Sequence, residues 1–196
     1  MLSPDERAQL ANAVAVARPC PTRWCVITGA PGSGKTTLVR LLSAQGLPVV
    51  EDPGRAILQE RLARGIDVDR TGSSYMRFQQ EVLERENAMI ACADPGQRVF
   101  FDYGIAESLA FMKLAGLPWS MHFVDAAAAL RFERVFLLSP LSIQNSFDGI
   151  RVETDAQRQK LWMLIGEVYQ ALGMQIVDVP NGSVAQRLGM VLAALT

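Results

Sequence analysis

The segment that most constrains the fold is a glycine-rich stretch between an apolar run and a helical pattern. It spans residues 29–37, where a glycine is followed by four residues and then by Gly-Lys-Thr. Residues 24–28 before it are mostly apolar, and leucines at helical spacing follow it. Glycines let the backbone turn tightly and bring its N–H groups close to an anion, and the N-terminus of the next helix adds partial positive charge. This strand, loop and helix predict a phosphate-binding loop.

Each residue of the loop has an expected part in nucleotide binding. The amine of Lys35 can reach β- and γ-phosphates, and the hydroxyl of Thr36 can ligate Mg²⁺. The chain lacks the Asn-Lys-x-Asp pattern that reads guanine, which favours ATP over GTP. The alternative is a turn that binds nothing, and the flanking patterns argue against it. The residues expected to contact the nucleotide are Gly29, Ala30, Pro31, Gly32, Ser33, Gly34, Lys35, Thr36 and Thr37.

The composition narrows the possible partners. A net charge of -1 gives no basic excess, so we expect no nucleic-acid partner. No apolar run approaches the length of a membrane span, and Asp5 and Glu6 stand where an export signal would be basic. The cysteines lack metal-ligand spacing, which is typical of reduced thiols and predicts a cytoplasmic protein; they are Cys20, Cys25 and Cys92.

Apolar strand patterns alternate with helical patterns along the chain. The 196 residues fit one domain, and the alternation predicts an α/β fold with a mainly parallel, five-stranded sheet flanked by helices. Residues 1–22 form an added N-terminal helix and linker, in which Ser3 and Glu6 make a capping box. The predicted strands are residues 24–28, 47–50, 99–102, 135–138 and 175–179.

Carboxylates follow two of these strands. Glu51 and Asp52 come after the second strand and Asp102 ends the third. Ligands of open α/β sheets bind beyond the carboxyl ends of the strands, so these acids are candidate site residues. Asp102 suits a carboxylate that orients Mg²⁺, or alternatively the N-cap of the next helix. Glu51 and Asp52 are alternatively ordinary acids of a solvated loop.

Taken together, these motifs resemble the P-loop ATPase family with an AAA-type domain that is related to the ribosylnicotinamide-kinase domain of the bifunctional NAD-synthesis regulator. The likeness covers residues 25–195 and implies a nucleoside/nucleotide-kinase-like P-loop NTPase fold with a lid at 140–153. Two positions depart from the family pattern: Asp52 stands where members usually carry Glu, and Tyr103 where they usually carry Arg. The segments that carry it are 27–37, 49–57, 99–102, 135–138, 148–153 and 177–180.

The motifs and the resemblance predict a small-molecule kinase that moves the γ-phosphoryl group of ATP to a hydroxyl or phosphate. Lys35 and Mg²⁺ held by Thr36 and Asp102 would offset the charge. Asp52 would take the acceptor's proton, with Glu51 as its competitor. The alternatives are a nucleotide-dependent regulatory ATPase with slow hydrolysis and a fold that binds without turnover. The sequence names neither the acceptor nor the oligomeric state.

The last catalytic candidate is an arginine of the lid. Because Tyr103 offers no cation, we expect Arg151 to close onto the β- and γ-phosphates as an arginine finger. Arg158, in the following helix, is the competing residue. The alternative for Arg151 is a surface ion pair with Glu153 or Asp155.

Overall fold

Five parallel strands form a single sheet in this computed structural model, which describes residues 1–66, 71–141 and 153–195. The strand order is β2-β3-β1-β4-β5, and every neighbouring pair is parallel. The prediction of a mainly parallel five-stranded sheet is therefore confirmed. The strands are β1 (Cys25–Thr28), β2 (Val49–Val50), β3 (Phe100–Phe101), β4 (Arg134–Leu138) and β5 (Ile176–Val179).

Helices cover both faces of the sheet. Side chains alternate across a strand, so Val26 of β1 joins the core beneath α1, α5, α6 and α7, whereas Ile27 joins the core beneath α2 and α8. The described helices are α1 (Pro4–Ala17), α2 (Lys35–Ala44), α3 (Pro53–Ala63), α4 (Gly72–Ala91), α5 (Ile105–Leu114), α6 (Met121–Ala128), α7 (Asp155–Ala171) and α8 (Val184–Ala193).

Local capping signals decide where several helices begin. The predicted capping box of α1, in which Ser3 and Glu6 bond each other's backbone N–H groups, is present. Capping boxes also open α7 at Thr154 and α8 at Ser183. The helix α4 begins at Gly72, and its N-cap position falls on Thr71 rather than on the serines at positions 73 and 74.

Two apolar side chains that stand at helical spacing from other apolar residues nevertheless face solvent. Leu62 is 47% exposed and Val184 is 45% exposed. Both lie in terminal turns, Leu62 in the last turn of α3 and Val184 at the first position of α8. A periodic pattern read from sequence extends to the end of a helix, whereas the packing partner of the helix does not.

The parallel sheet brings the carboxyl ends of β1, β2 and β3 to one edge. The loop after β1, the acids after β2 and Asp102 after β3 therefore lie side by side. Within the described ranges, no helix is both long and apolar enough to cross a membrane. Most of the predicted lid, residues 142–152, lies outside the described residues.

Candidate functional site

The glycine-rich loop links β1 to α2 and closes tightly against the sheet. Gly29 has a φ of 142°, and a Cβ atom there would lie 2.6 Å from the carbonyl oxygen of Leu138. Gly34 has a φ of 89° and occupies the N-cap position of α2. Because glycine has no side chain, the N-cap residue cannot accept hydrogen bonds from the first N–H groups of α2. These N–H groups can therefore donate to an anion.

The amine of Lys35 lies over this loop. It donates hydrogen bonds to the carbonyl oxygens of Gly29, at 2.7 Å, and Ala30, at 3.3 Å. Burial raises the pKa values of Asp52 and Asp102, and the charge of Lys35 partly offsets both rises, because the amine and the two carboxylates lie near one another at the mouth of the loop. The sheet has thus brought together three of the four predicted catalytic residues.

Asp102 is buried beside Thr36. Only 3% of the residue is exposed, and its Oδ1 atom has no hydrogen-bond partner among the described residues. Burial raises the pKa of Asp102, whereas the charge of Lys35 and the hydroxyl of Thr36 lower it. The N-cap of α5 is Gly104, so the alternative that Asp102 caps that helix is wrong.

Thr36 and Asp102 offer oxygen donors of the kind that Mg²⁺ prefers. A buried carboxylate oxygen without a partner is costly, and a bound cation would satisfy it. Among the described residues, no group of three or more His, Cys, Asp or Glu side chains could hold a metal by itself. This donor set fits Mg²⁺, which proteins usually bind through one or two side chains together with substrate phosphates.

Asp52 forms the wall of the site opposite the loop. Its carboxylate caps α3 by accepting the N–H of Arg55 at 3.1 Å. Burial is the largest cause that raises the pKa of Asp52 to about 6; Asp102 raises it further, whereas the Arg55 N–H and Lys35 lower it. Its competitor Glu51 is exposed and is not among the residues that line the cavity described next.

A cavity of about 270 Å³ extends from the phosphate loop past Asp52. The rings of Tyr75 and Phe78 stack along α4, with centroids 5.8 Å apart. Arg55, at the start of α3, adds a second cation to Lys35. Beyond the loop, the described lining consists of Asp52, Gly54, Arg55, Leu58, Tyr75, Phe78, Gln79, Val82, Tyr103, Glu107, Phe111, Leu141 and Glu153.

Two buried polar side chains of α4 were missed by the sequence analysis. Gln79 and Glu86 are each 2% exposed, and the Oε1 atom of Gln79 has no partner among the described residues. They lie three to four residues from Val82 on the buried stripe of α4, and polar residues within an apolar stripe were the available signal.

Glu107 is the third missed residue. Its Oε2 atom accepts the N–H of Gly104 at 2.5 Å, which satisfies the backbone N–H group at the N-cap position of α5. Burial is the largest cause that raises the pKa of Glu107 to about 8, and Asp52 raises it further. Glu107 therefore carries a proton for much of the time at neutral pH, beside an Asp52 that is largely ionised.

Tyr103 follows Asp102 in a strained conformation. Its φ of 136° is rare for a residue with a side chain, and such strain is concentrated at functional sites. Its hydroxyl lies 3.0 Å from Ser108 Oγ, and burial raises its pKa well above the ordinary value. Tyr103 is thus a fixed, neutral group of the cavity wall.

The predicted lid arginine lies outside the described residues. Arg151 falls within residues 142–152. Arg158 lies in the first turn of α7, where it pairs with Asp155, and it is not among the described residues that line the cavity.

Several solved structures are similar to this chain in fold. The NadR protein in complex with NAD and AMP-PNP superposes with a TM-score of 0.64 at 18% identity, over 96% of this chain and 51% of that chain. Deoxyadenosine kinase from M. mycoides with bound dATP superposes with a TM-score of 0.62 at 15% identity, over 88% of this chain and 98% of that chain. Thymidylate kinase from Ehrlichia chaffeensis superposes with a TM-score of 0.61 at 15% identity, over 90% of this chain and 99% of that chain.

These likenesses confirm the predicted P-loop kinase fold. The chain spans about half the length of the NadR chains that it matches. No curated protein sequence matches it. The sequence profile of one family, described as AAA domain, matches residues 24–187, and the chain therefore belongs to the AAA domain family.

Proposed function

We propose that the protein is a Mg²⁺-dependent kinase that transfers the γ-phosphoryl group of ATP to a small nucleoside- or nucleotide-like acceptor. The observation that carries the proposal is that the phosphate loop and the carboxylate of Asp52 face the same cavity. A nucleotide bound at the loop would place its terminal phosphate toward the part of the cavity that lies beyond the loop, beside Asp52. We call this part the acceptor compartment. A protein that only hydrolyses ATP needs no such compartment.

The side chains of the acceptor compartment suit an acceptor with a ring and a hydroxyl group. The stacked rings of Tyr75 and Phe78 offer a flat apolar wall, and Gln79 offers an amide oxygen that has no partner among the described residues. Kinase neighbours with this fold, solved with dATP or with NAD and AMP-PNP, support a nucleotide as one of the two ligands.

In the proposed reaction, Asp52 is the general base. It takes the proton of the acceptor hydroxyl while the acceptor oxygen bonds to the γ-phosphorus and the bond to the β,γ-bridging oxygen breaks, which releases ADP. A pKa of about 6 leaves Asp52 ionised at neutral pH and more basic than an ordinary aspartate. Lys35 would stabilise the charge on the phosphates. Mg²⁺, when held by Thr36 and Asp102, would offset the remainder.

The test is an ADP-release assay with ATP, Mg²⁺ and a panel of ribonucleosides, deoxyribonucleosides and nucleoside monophosphates. We expect at least one acceptor to stimulate ADP release and to appear as a phosphorylated product by mass spectrometry. The Lys35→Ala variant is the control for contaminating kinases. ADP release that no acceptor stimulates would contradict the proposal and favour a regulatory ATPase.

A further inference from the structure

An arginine from the last helix supports the phosphate loop from behind. Arg187 lies in the first half of α8, and only 4% of it is exposed. Its guanidinium donates to backbone carbonyl oxygens: from Nη1 to Ser33 at 2.5 Å, from Nη2 to Ser139 at 2.8 Å and from Nε to Pro180 at 3.0 Å. A longer bond of 3.4 Å joins Nη2 to the carbonyl oxygen of Val179.

These carbonyl groups belong to three separate segments. Ser33 lies in the phosphate loop, Ser139 follows β4, and Val179 and Pro180 end β5. The planar guanidinium donates in several directions at fixed angles, so one side chain can hold three segments in register. An ammonium group on a flexible stem does not fix these directions in the same way.

The bond to Ser33 determines how the loop meets an anion. In a planar trans peptide, the carbonyl group of Ser33 and the N–H group of Gly34 point in opposite directions. Arg187 holds the carbonyl oxygen on the outer side of the loop, which turns the Gly34 N–H away from Arg187. A carbonyl oxygen turned inward would instead repel a phosphate.

The electrostatics also favour a role in nucleotide binding. Among the described residues, Arg187 forms no ion pair with a carboxylate, and burial lowers its pKa without removing its charge. Burying a charge that has no carboxylate partner costs free energy, so an apolar side chain would often serve stability as well or better. The buried charge adds positive potential behind the loop, where Nη1 lies 3.4 Å from the position of a Gly34 Cβ atom.

We propose that Arg187 is a positioning residue for the nucleotide, which orients the phosphate loop and adds positive potential without contacting the ligand. The inference rests on the proposed function only in assigning the loop to nucleotide phosphates. It concerns binding alone and requires no acceptor.

The test compares three variants by calorimetry with ATP and with inorganic tripolyphosphate, a probe of the loop alone. Arg187→Met removes the charge and the hydrogen-bond donors. We expect it to lower the affinity for both ligands about 10-fold to 100-fold, the range of one or two charge-assisted hydrogen bonds. Arg187→Lys keeps the charge and should lose less affinity. Arg98→Met is the matched control, because Arg98, like Arg187, donates to a backbone carbonyl oxygen, but it does so away from the loop and also pairs with Glu133.

The outcomes separate positioning from a general loss of structure. Arg98→Met should lower the melting temperature and leave the affinity for ATP unchanged. Equal affinities of Arg187→Met and the parent for tripolyphosphate would overturn the inference, even if the melting temperature falls. If Arg187→Met does not fold, the test rests on Arg187→Lys. An affinity of Arg187→Lys equal to that of the parent, for both ATP and tripolyphosphate, then overturns the inference. Normal ATP binding without transfer to any acceptor would contradict the kinase proposal alone.

Discussion

Replacement of Asp52 by asparagine should make the protein more stable and far less active. The change is nearly isosteric, and asparagine caps a helix about as well as aspartate. Its amide oxygen can still accept the Arg55 N–H, which the carboxylate accepts at 3.1 Å. The substitution therefore removes a negative charge and keeps the local structure of α3.

The expected gain in stability follows from the pKa of this carboxyl group. Burial is the main reason that the pKa rises from an ordinary 3.8 to about 6. A shift of about two units corresponds to up to about 3 kcal/mol, and solvent at the partly exposed side chain reduces it, so we expect about 1–3 kcal/mol at neutral pH.

The pH dependence gives the sign. Because the folded state binds this proton more tightly than the unfolded state, the parent loses stability as the pH rises from about 4 to about 6. Asp52→Asn has no proton to lose, so its advantage over the parent should grow across this window and stay constant above it. Urea unfolding of both proteins at each pH measures that difference.

Activity should change in the opposite direction. Loss of a positioned general base lowers acceptor phosphorylation by about 10²–10⁴, whereas ATP hydrolysis without acceptor should change much less. Glu51→Gln is the matched control, since Glu51 is exposed and should show neither effect. If Asp52→Asn is no more stable than the parent and transfers phosphate at the parent's rate, both the burial argument and the assignment of the base are wrong.

Other substitutions test the remaining site residues. Lys35→Ala should weaken ATP binding about tenfold or more, because it removes a charge-assisted hydrogen bond, and unchanged affinity by calorimetry would reject the phosphate-loop assignment. Asp102→Asn should abolish the Mg²⁺ dependence of turnover with little loss of fold by circular dichroism; full Mg²⁺-dependent activity would remove the metal role. Arg151→Ala should slow turnover at saturating ATP by about 10³–10⁵ if Arg151 is the finger, whereas Arg158→Ala, which breaks a pair with Asp155, should stay within a fewfold of the parent. The reverse pattern would move the role to Arg158.

The parts of the fold that sequence predicts depend on neighbours within a few positions. The phosphate loop is defined by the spacing of Gly29, Gly34 and Lys35 within seven positions, and the capping box of Ser3 and Glu6 lies within one helical turn. Such features need no knowledge of the rest of the chain. The alternation of apolar and helical patterns likewise predicted five strands, although it did not predict their order.

The parts that were missed depend on contacts between distant segments. Arg187 meets Ser33 across 154 positions, and nothing near either residue indicates the contact. Gln79 lines the cavity and Glu86 lies buried because α4 packs beside α5, a contact between separate helices. A periodic pattern identifies the buried face of a helix, but it does not identify the neighbour against which that face is buried.

The cations of the cavity also differ from what the sequence indicated. Tyr103, where the resembling family usually has an arginine, is neutral and held by Ser108, so it offers no charge to a transferring phosphoryl group. Arg55 supplies a cation from α3 instead, and its charge partly offsets the rise that burial causes in the pKa of Asp102. In the proposed reaction, the need for Arg151 is therefore weaker than the absence of an arginine at position 103 suggested. A parent-like rate in Arg151→Ala would assign the charge compensation to Arg55 and Lys35, which already line the cavity.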